Sequence, residues 1–387
     1  MLKPFDLLCV LCVLSEILGF PNAPAHLPSF LLRSRLFVGA KGFGERIKKP
    51  MSKSKVDHDT SDKTIQFYQH LANVGAADTV SKVGLAFVND LRGVVSLRFI
   101  KKGETMIEIP FEAAYDLGVV SNNNNDPTNA AITLSDLLKK TKENDGDHSY
   151  FSMLPRQHSS EISTTTDYFS DDALSALQLP FVKSETVRRL EKLKESATSP
   201  DHYEELKLAL SYVTSRVLTV EGPESEYGER HSLLIPMIDM CNHDRDSPHV
   251  LSGRAASGSK LRVVAGKDVL AGEQINICYG GGHAGNDRFV QDYGFLDPLP
   301  LSNLIVARSL VSRKIVEKGL STTTKMEALA ALKLTTVEED ELLLGELEGA
   351  KFSDDNTEEE ADDSNRWLAI SLRLGVKRAL GDLGVEW

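Results

Sequence analysis

Hydrophobic positions along this chain change their period three times. Short apolar runs at Val83 to Val88, Val94 to Phe99 and Met106 to Ile109 each predict a strand, the last following a Lys102-Gly103-Glu104 turn. From about 131 to 220 the spacing becomes helical. There Leu206, Leu210, Val213 and Val217 form one apolar stripe, and Ser170 before Asp171 and Asp172 reads as a helix N-cap. Strand character returns at Leu233 to Ile238, Lys260 to Ala265 and Gln274 to Tyr279. Beyond Pro300 the pattern is helical again. Thr336 and Glu339 make a capping box, and Leu368, Leu372, Val376 and Leu380 stripe the last helix. Three polar stretches read as connections: a linker over 50–64, a loop of little packing value from Ser121 to Pro127, and a solvated acidic loop from Ser353 to Ser364. Arg98 to Ile109 and Lys267 to Cys278 echo each other as a basic residue, a Gly-Glu turn and a strand; two copies are too few for a solenoid. The pattern predicts an α+β chain: a β-rich unit interrupted by a helical insert, then a helical tail.

Composition narrows this. With 387 residues, 41% of them apolar, the chain is long enough for two or three domains and too apolar to be wholly disordered. A net charge of −12 argues against a general nucleic-acid binder. The first 56 residues are foreign to the rest, with nine basic and three acidic side chains. Lys3 precedes an apolar run from Leu7 to Phe20, too short for a membrane span, that Glu16 interrupts. The run Gly19 to Pro24 followed by a basic tract resembles the two-part presequences of algae with secondary plastids. A simple secretory signal or an amphipathic leader is the alternative. Cys9 and Cys12 lie in this leader, so Cys241 and Cys278 remain, too few for a disulfide scaffold; a reduced compartment follows.

Three segments can carry chemistry. In Leu233 to Asp246 an apolar strand ends in Asp239, Asn242 and His243. An amide beside an imidazole can read the edge of a heteroaromatic ring, or the polar groups can merely satisfy loop backbone. His231, Cys241, His243 and His249 lack the spacing of paired zinc ligands, and a Cys241–His243 nucleophile pair has no third, orienting partner. In Gly272 to Gly282, Tyr279 falls on the apolar phase of its strand just before three glycines, either as a core tyrosine or as a hydroxyl offered to a pocket. Those glycines lack the Lys-Ser/Thr of a phosphate loop. Asn286 to Pro298 places Tyr293 and Phe295 around Gly294 as an aromatic turn.

IPMIDMCNHD, GEQINICYG and QDYGF, in that order, resemble the C-terminal half of a SET domain of the Rubisco large-subunit methyltransferase-like subgroup. Upstream, Arg92 to Pro110 is similar to that subgroup's N-terminal SET motif, Tyr150 to Pro155 to its Tyr-x-x-x-Leu-Pro segment, and Thr214 to Leu218 to its Ser-Arg helix. The resemblance implies a β-rich SET domain with a helical insertion and a smaller all-helical C-terminal domain. Its boundaries would be a presequence and linker over 1–56, SET segments over 65–117 and 226–299, the insertion over 118–225 and the helical domain over 300–387.

It further implies methyl transfer from S-adenosylmethionine to a lysine of a protein substrate, with no metal, no nucleic acid and no membrane for the mature chain. Tyr279 then matches the catalytic tyrosine. Asp90, Leu91, Arg92 and Gly93 match the N-terminal cofactor loop, and Asn242 with His243 the cofactor-binding pair. Tyr293 matches an aromatic packed on the cofactor, Arg216 an arginine lining the cofactor or substrate site, and Asp239 a substrate-side carboxylate. Leu91 stands where the family more often has glycine. In this subgroup the Tyr293 segment threads beneath a loop near Asn242 and His243, a rare knot-like feature. Histidine as acceptor, or a catalytically idle protein-binding SET module, are the alternatives. A plastid protein such as Rubisco is the expected substrate class.

Overall fold

The structure, a computed structural model, describes residues 56–120, 126–143, 149–155, 164–223, 229–312, 320–349 and 358–385. The leader, most of the Ser121 to Pro127 loop and the start of the acidic loop lie outside the described residues. Within them the fold is α+β, three small sheets with helices between and after. Among the described residues no helix is long and apolar enough to cross a membrane.

The sheet that matters most runs β1 (Val56–His58), β2 (Val83–Val88), β3 (Leu91–Ser96), β11 (Gln274–Ile277), β8 (Asn242–His243). β2 and β3 form a hairpin whose two turn residues, Asn89 and Asp90, both have positive φ, 51° and 66°. That is the geometry of the tight turns that match strand twist, and Asn and Asp tolerate it best. β11 pairs antiparallel with β3 but parallel with β8, aligning Asn276 with Asn242 and Ile277 with His243. The other sheets are β4 (Thr105–Pro110), β10 (Lys260–Val264), β9 (Val250–Ser252), and β5 (Tyr115–Val120), β7 (Arg230–Leu234), β6 (Leu218–Glu221). An apolar core joins these strands to helices α1 (Asp62–Leu71), α3 (Thr128–Glu143) and α6 (Pro200–Arg216).

A second core is shared between insert and tail. It gathers α4 (Asp171–Ala176) and Val182 of α5 (Pro180–Ser196) with α7 (Pro300–Val311), α8 (Thr322–Leu332) and α10 (Glu358–Asp382). Leu368, Leu372, Val376 and Leu380 are all buried in it, as their spacing predicted. Ser170 accepts from the Ala173 amide, and Thr336 and Glu339 exchange their reciprocal bonds at the start of α9 (Val337–Gly349). The echo also folds alike: Glu104 accepts from the Lys101 amide and pairs with Arg98, while Glu273 accepts from the Leu270 amide and pairs with Lys267. The two units meet at an isolated bridge between Ile100 and Val269.

Several expectations are corrected. The linker reading fails from Val56 on, where β1 forms and α1 starts at Asp62. The polar residues there are a cap: Ser61 accepts from the Thr64 amide, and Asp59 accepts from Ser61 and Thr64. The strand expected at Val94 to Phe99 is shifted to Leu91–Ser96 by the hairpin turn. That expected at Leu233 to Ile238 is Arg230–Leu234, with Ile238–Met240 turning as a 3-10 helix. β11 stops at Ile277, so Tyr279 opens a turn. Glu358 to Ser364, expected as loop, is the first part of α10. Asp126, expected in a loop of little packing value, is a buried carboxylate bonded to Thr128, Arg188 and Lys192.

Candidate active site

Tyr279 follows β11, and its partner strand β8 is the two-residue Asn242–His243. The parallel register therefore sets the tyrosine beside the Asn-His pair. The Tyr279 amide donates to His243 Nδ1 (3.1 Å), and its hydroxyl donates to the Cys241 carbonyl (2.6 Å). With Nδ1 accepting, a neutral His243 carries its proton on Nε2. Burial lowers the His243 pKa below the ordinary imidazole value, which keeps it neutral. Nε2 is buried and has no hydrogen-bond partner among the described residues; the Asp297 carboxylate is 3.9 Å away.

Asp239 sits one turn before β8. Tyr150 OH donates to Asp239 Oδ2 (2.7 Å), and Arg216 Nη1 donates to the Asp239 carbonyl (3.2 Å). Asp239 Oδ1 is buried without a partner. Burial pushes this carboxyl up to about 6, against the opposing pull of Arg216 and the Tyr150 bond. Burial likewise raises the Tyr279 phenol well above its usual range, so it stays protonated at neutral pH.

The N-terminal loop residues divide. The Arg92 carbonyl accepts from Asn242 Nδ2 (3.0 Å), and a Cβ on Gly93 would lie 2.6 Å from that same nitrogen. Glycine there lets Asn242 lie against the hairpin. Asp90 and Leu91 instead stand at the hairpin's exposed tip, with Leu91 51% exposed. Tyr293 stacks on Tyr279 (centroids 4.9 Å apart, planes at 27°). Phe289 and Phe295 pack against His243 together with the Tyr279 ring. Tyr293, Gly280, Thr214 and Val217 also line a cavity of about 420 Å³ that runs under β5.

Sequence reasoning missed Tyr150 as the partner of Asp239, the place of Phe295 beside His243, and the pair Arg245–Asp297. Arg245, two residues beyond the Asn-His pair, is almost fully buried. It donates to Asp297 Oδ2 (2.6 Å) and to the carbonyls of Gly282 (2.8 Å) and Ala284 (2.7 Å), with its guanidinium over Phe289. The Asp297 carboxylate also accepts from Ser302 and the Leu299 amide, while its backbone N–H donates to the Asn286 side-chain oxygen and its carbonyl accepts from Asn286 Nδ2. Burial opposes its ionisation, but the Ser302 and Arg245 bonds hold Asp297 below its ordinary value. The loop after β8 is thus pinned to both ends of the segment 286–297. Replacing Arg245 by methionine would strand a buried carboxylate and is expected to cost about 3–5 kcal/mol, read as a lower urea midpoint; Arg245→Met with Asp297→Asn should recover much of it.

Residues 91–280 match the SET domain. The chain is 24% identical over 263 residues to the chloroplastic ribulose-1,5-bisphosphate carboxylase/oxygenase large subunit N-methyltransferase of Nicotiana tabacum, covering 60% of this chain and 51% of the relative. It thus spans about half the length of that curated relative. Among solved structures, it superposes on the SET domain of LSMT bound to methyl-lysine and AdoHcy with a TM-score of 0.57 and 17% identity, covering 84% of this chain and 90% of the other. Rubisco LSMT bound to AdoMet gives 0.52 and 18%, covering 84% and 91%. At such identities the structural likeness is one of fold. Residues 91–280, nearly half of the chain, thus match a SET domain, and the chain is similar in fold to the Rubisco LSMT structures.

Proposed function

We propose that this protein transfers a methyl group from S-adenosylmethionine to a lysine side chain of a protein substrate. The observation that carries the reading is Tyr279, whose protonated hydroxyl donates to the carbonyl of Cys241, two residues past Asp239, and whose ring lies 5.1 Å from that of His243, while Asp239 Oδ1 and His243 Nε2 are each buried without a partner among the described residues. Buried polar groups are normally paired, so an unpaired acceptor and an unpaired donor on residues flanking Cys241, which bonds Tyr279, fit a bound, polar ligand. Asn242, His243, Arg92 and Phe295 would hold the cofactor. When bound, it supplies an electrophilic methyl on a positively charged sulfur.

The chain's own residues do the rest. The Tyr279 hydroxyl keeps its proton and donates a hydrogen bond to the Cys241 carbonyl, leaving its oxygen lone pairs to accept from an amine N–H and aim the nitrogen. Asp239, ionised above about pH 6, attracts the incoming lysine, and the dry surroundings of Asp239 and Tyr150 favour the neutral amine that must attack. Neither Tyr279 nor Tyr150 is a base at neutral pH, since burial holds both phenols protonated. The cavity beside Tyr293 gives the lysine an approach.

We place the protein in a plastid, with a plastid protein such as the Rubisco large subunit as substrate. The presequence reading and the chloroplastic relative support this. The test is transfer of labelled methyl from S-adenosylmethionine into a plastid lysate and into purified Rubisco, with the acceptor mapped by mass spectrometry. Label on lysine supports the reading, and label on histidine would redirect the acceptor. A folded protein that neither labels any lysate nor binds the cofactor would leave an idle, protein-binding SET module.

A further inference from the structure

We infer that Arg189, a residue of the helical insert, is a positioning residue for Tyr293; this rests on the methyl-transfer reading above. Arg189 lies on α5 and is 1% exposed. Its Nε and Nη2 make a two-point pair with Asp167 (2.6 and 2.8 Å). Nη2 also reaches Thr166 Oγ1 within the insert (3.4 Å), and two bonds leave the insert: Nη1 reaches Asp292 Oδ1 (2.8 Å) and Nη2 reaches the Gln291 carbonyl (3.1 Å). Those two residues immediately precede Tyr293, the ring stacked on Tyr279.

Other insert contacts converge on the same stretch. Gln291 Nε2 donates to the Val182 carbonyl (3.4 Å) and to Thr186 Oγ1 (3.3 Å) of α5. On the far side of Tyr293, Gly294 has a φ of 72° and passes so close to Thr164 that a Cβ would lie 2.3 Å from Thr164 Oγ1. The backbone carrying Tyr293 is therefore anchored to the insert on both sides of the ring, while Tyr279 is carried by the central sheet. The stacking distance between the two tyrosines is set by how the insert sits on the catalytic half. Among the described residues, Arg189 is the side chain that bonds both the insert's Asp167 and the Tyr293 segment. Its planar fork allows this, and a lysine ammonium in its place has no such geometry.

Misplacing a reacting group by about 1 Å can cost about 100-fold in rate. Arg189→Lys and Asp292→Asn are each expected to lower kcat about 10- to 100-fold while the cofactor KM moves much less. Arg189→Met alone strands the buried Asp167 carboxylate, so it is paired with Asp167→Asn, which removes both buried charges. That double variant should melt near the parent temperature and still turn over slowly. Hydrogen exchange of the amides at 291–294 should accelerate in all three, a readout that needs no activity. If the parent transfers no methyl, the functional reading fails by itself and exchange still decides whether Arg189 holds the segment. Unchanged exchange at 291–294, or a kcat restored together with stability in the double variant, overturns the proposal.

Discussion

Tyr279→Phe is expected to lower kcat by about 100- to 1,000-fold with little change in cofactor affinity, measured as single-turnover methyl transfer beside equilibrium binding. That is the range seen when one preorganised hydrogen-bonding group is removed from a reacting centre. Among the described residues the Tyr279 hydroxyl makes one hydrogen bond, to the Cys241 carbonyl. Losing it removes one net hydrogen bond, about 1 kcal/mol, so the variant should fold and keep its tyrosine stack through the ring. The amide bond to His243 Nδ1 is main chain and survives, which keeps the imidazole tautomer in place. A variant with normal cofactor binding and unchanged kcat would remove Tyr279 from the chemistry and shift attention to Asp239 and Tyr150. An idle binding module predicts no rate to lose.

What could be read without the structure was what is local. Capping by Ser170, the Thr336–Glu339 box and the stripe through Leu368 and Leu380 depend on residues three or four apart, and all are present. The Asn242, His243 and Tyr279 cluster was legible through order and resemblance, since a parallel pairing of β8 with β11 leaves no periodic trace. Long-range polar partners were not legible. Tyr150 meets Asp239 across 89 positions and Arg189 meets Asp292 across 103, and no spacing rule connects them. Asp297 gave a faint signal, an acid in the apolar run GFLDPLP, where a buried carboxylate needs a cation; the cation turned out to be Arg245. The polar stretch at Asp59 to Thr64 misled for the opposite reason. Ser, Thr and Asp favour loops and helix caps alike, and the start of α1 used them as a cap.

Asp239→Asn should move stability and activity in opposite directions. The carboxyl pKa rises from about 4 in an unfolded chain to about 6 in the fold because burial disfavours the charge. A carboxyl raised on folding holds its proton more tightly in the native state. Between about pH 4 and 6 the native protein therefore binds more protons than the unfolded one, and stability falls as pH rises through that window. Above pH 6 the full cost remains, about 3 kcal/mol for a shift of about two pH units, and it is not relieved because Oδ1 has no donor. Asparagine carries no charge, can still accept from Tyr150 through its carbonyl, and leaves the Arg216 bond to the residue 239 carbonyl intact. At pH 7.5 the variant should gain about 1–3 kcal/mol, seen as a higher urea midpoint, and lose the downward slope between pH 4 and 6. Methyl transfer should fall at least about 10-fold, because the anion that draws the lysine is gone, and the rise of kcat/KM through about pH 6 should vanish with it. Greater stability joined to weaker turnover is the mark of a group kept charged for function in a site that would fold better without the charge. A variant less stable at pH 7.5 would instead make Asp239 a structural anion for Arg216, and the substrate-side role would pass to another group.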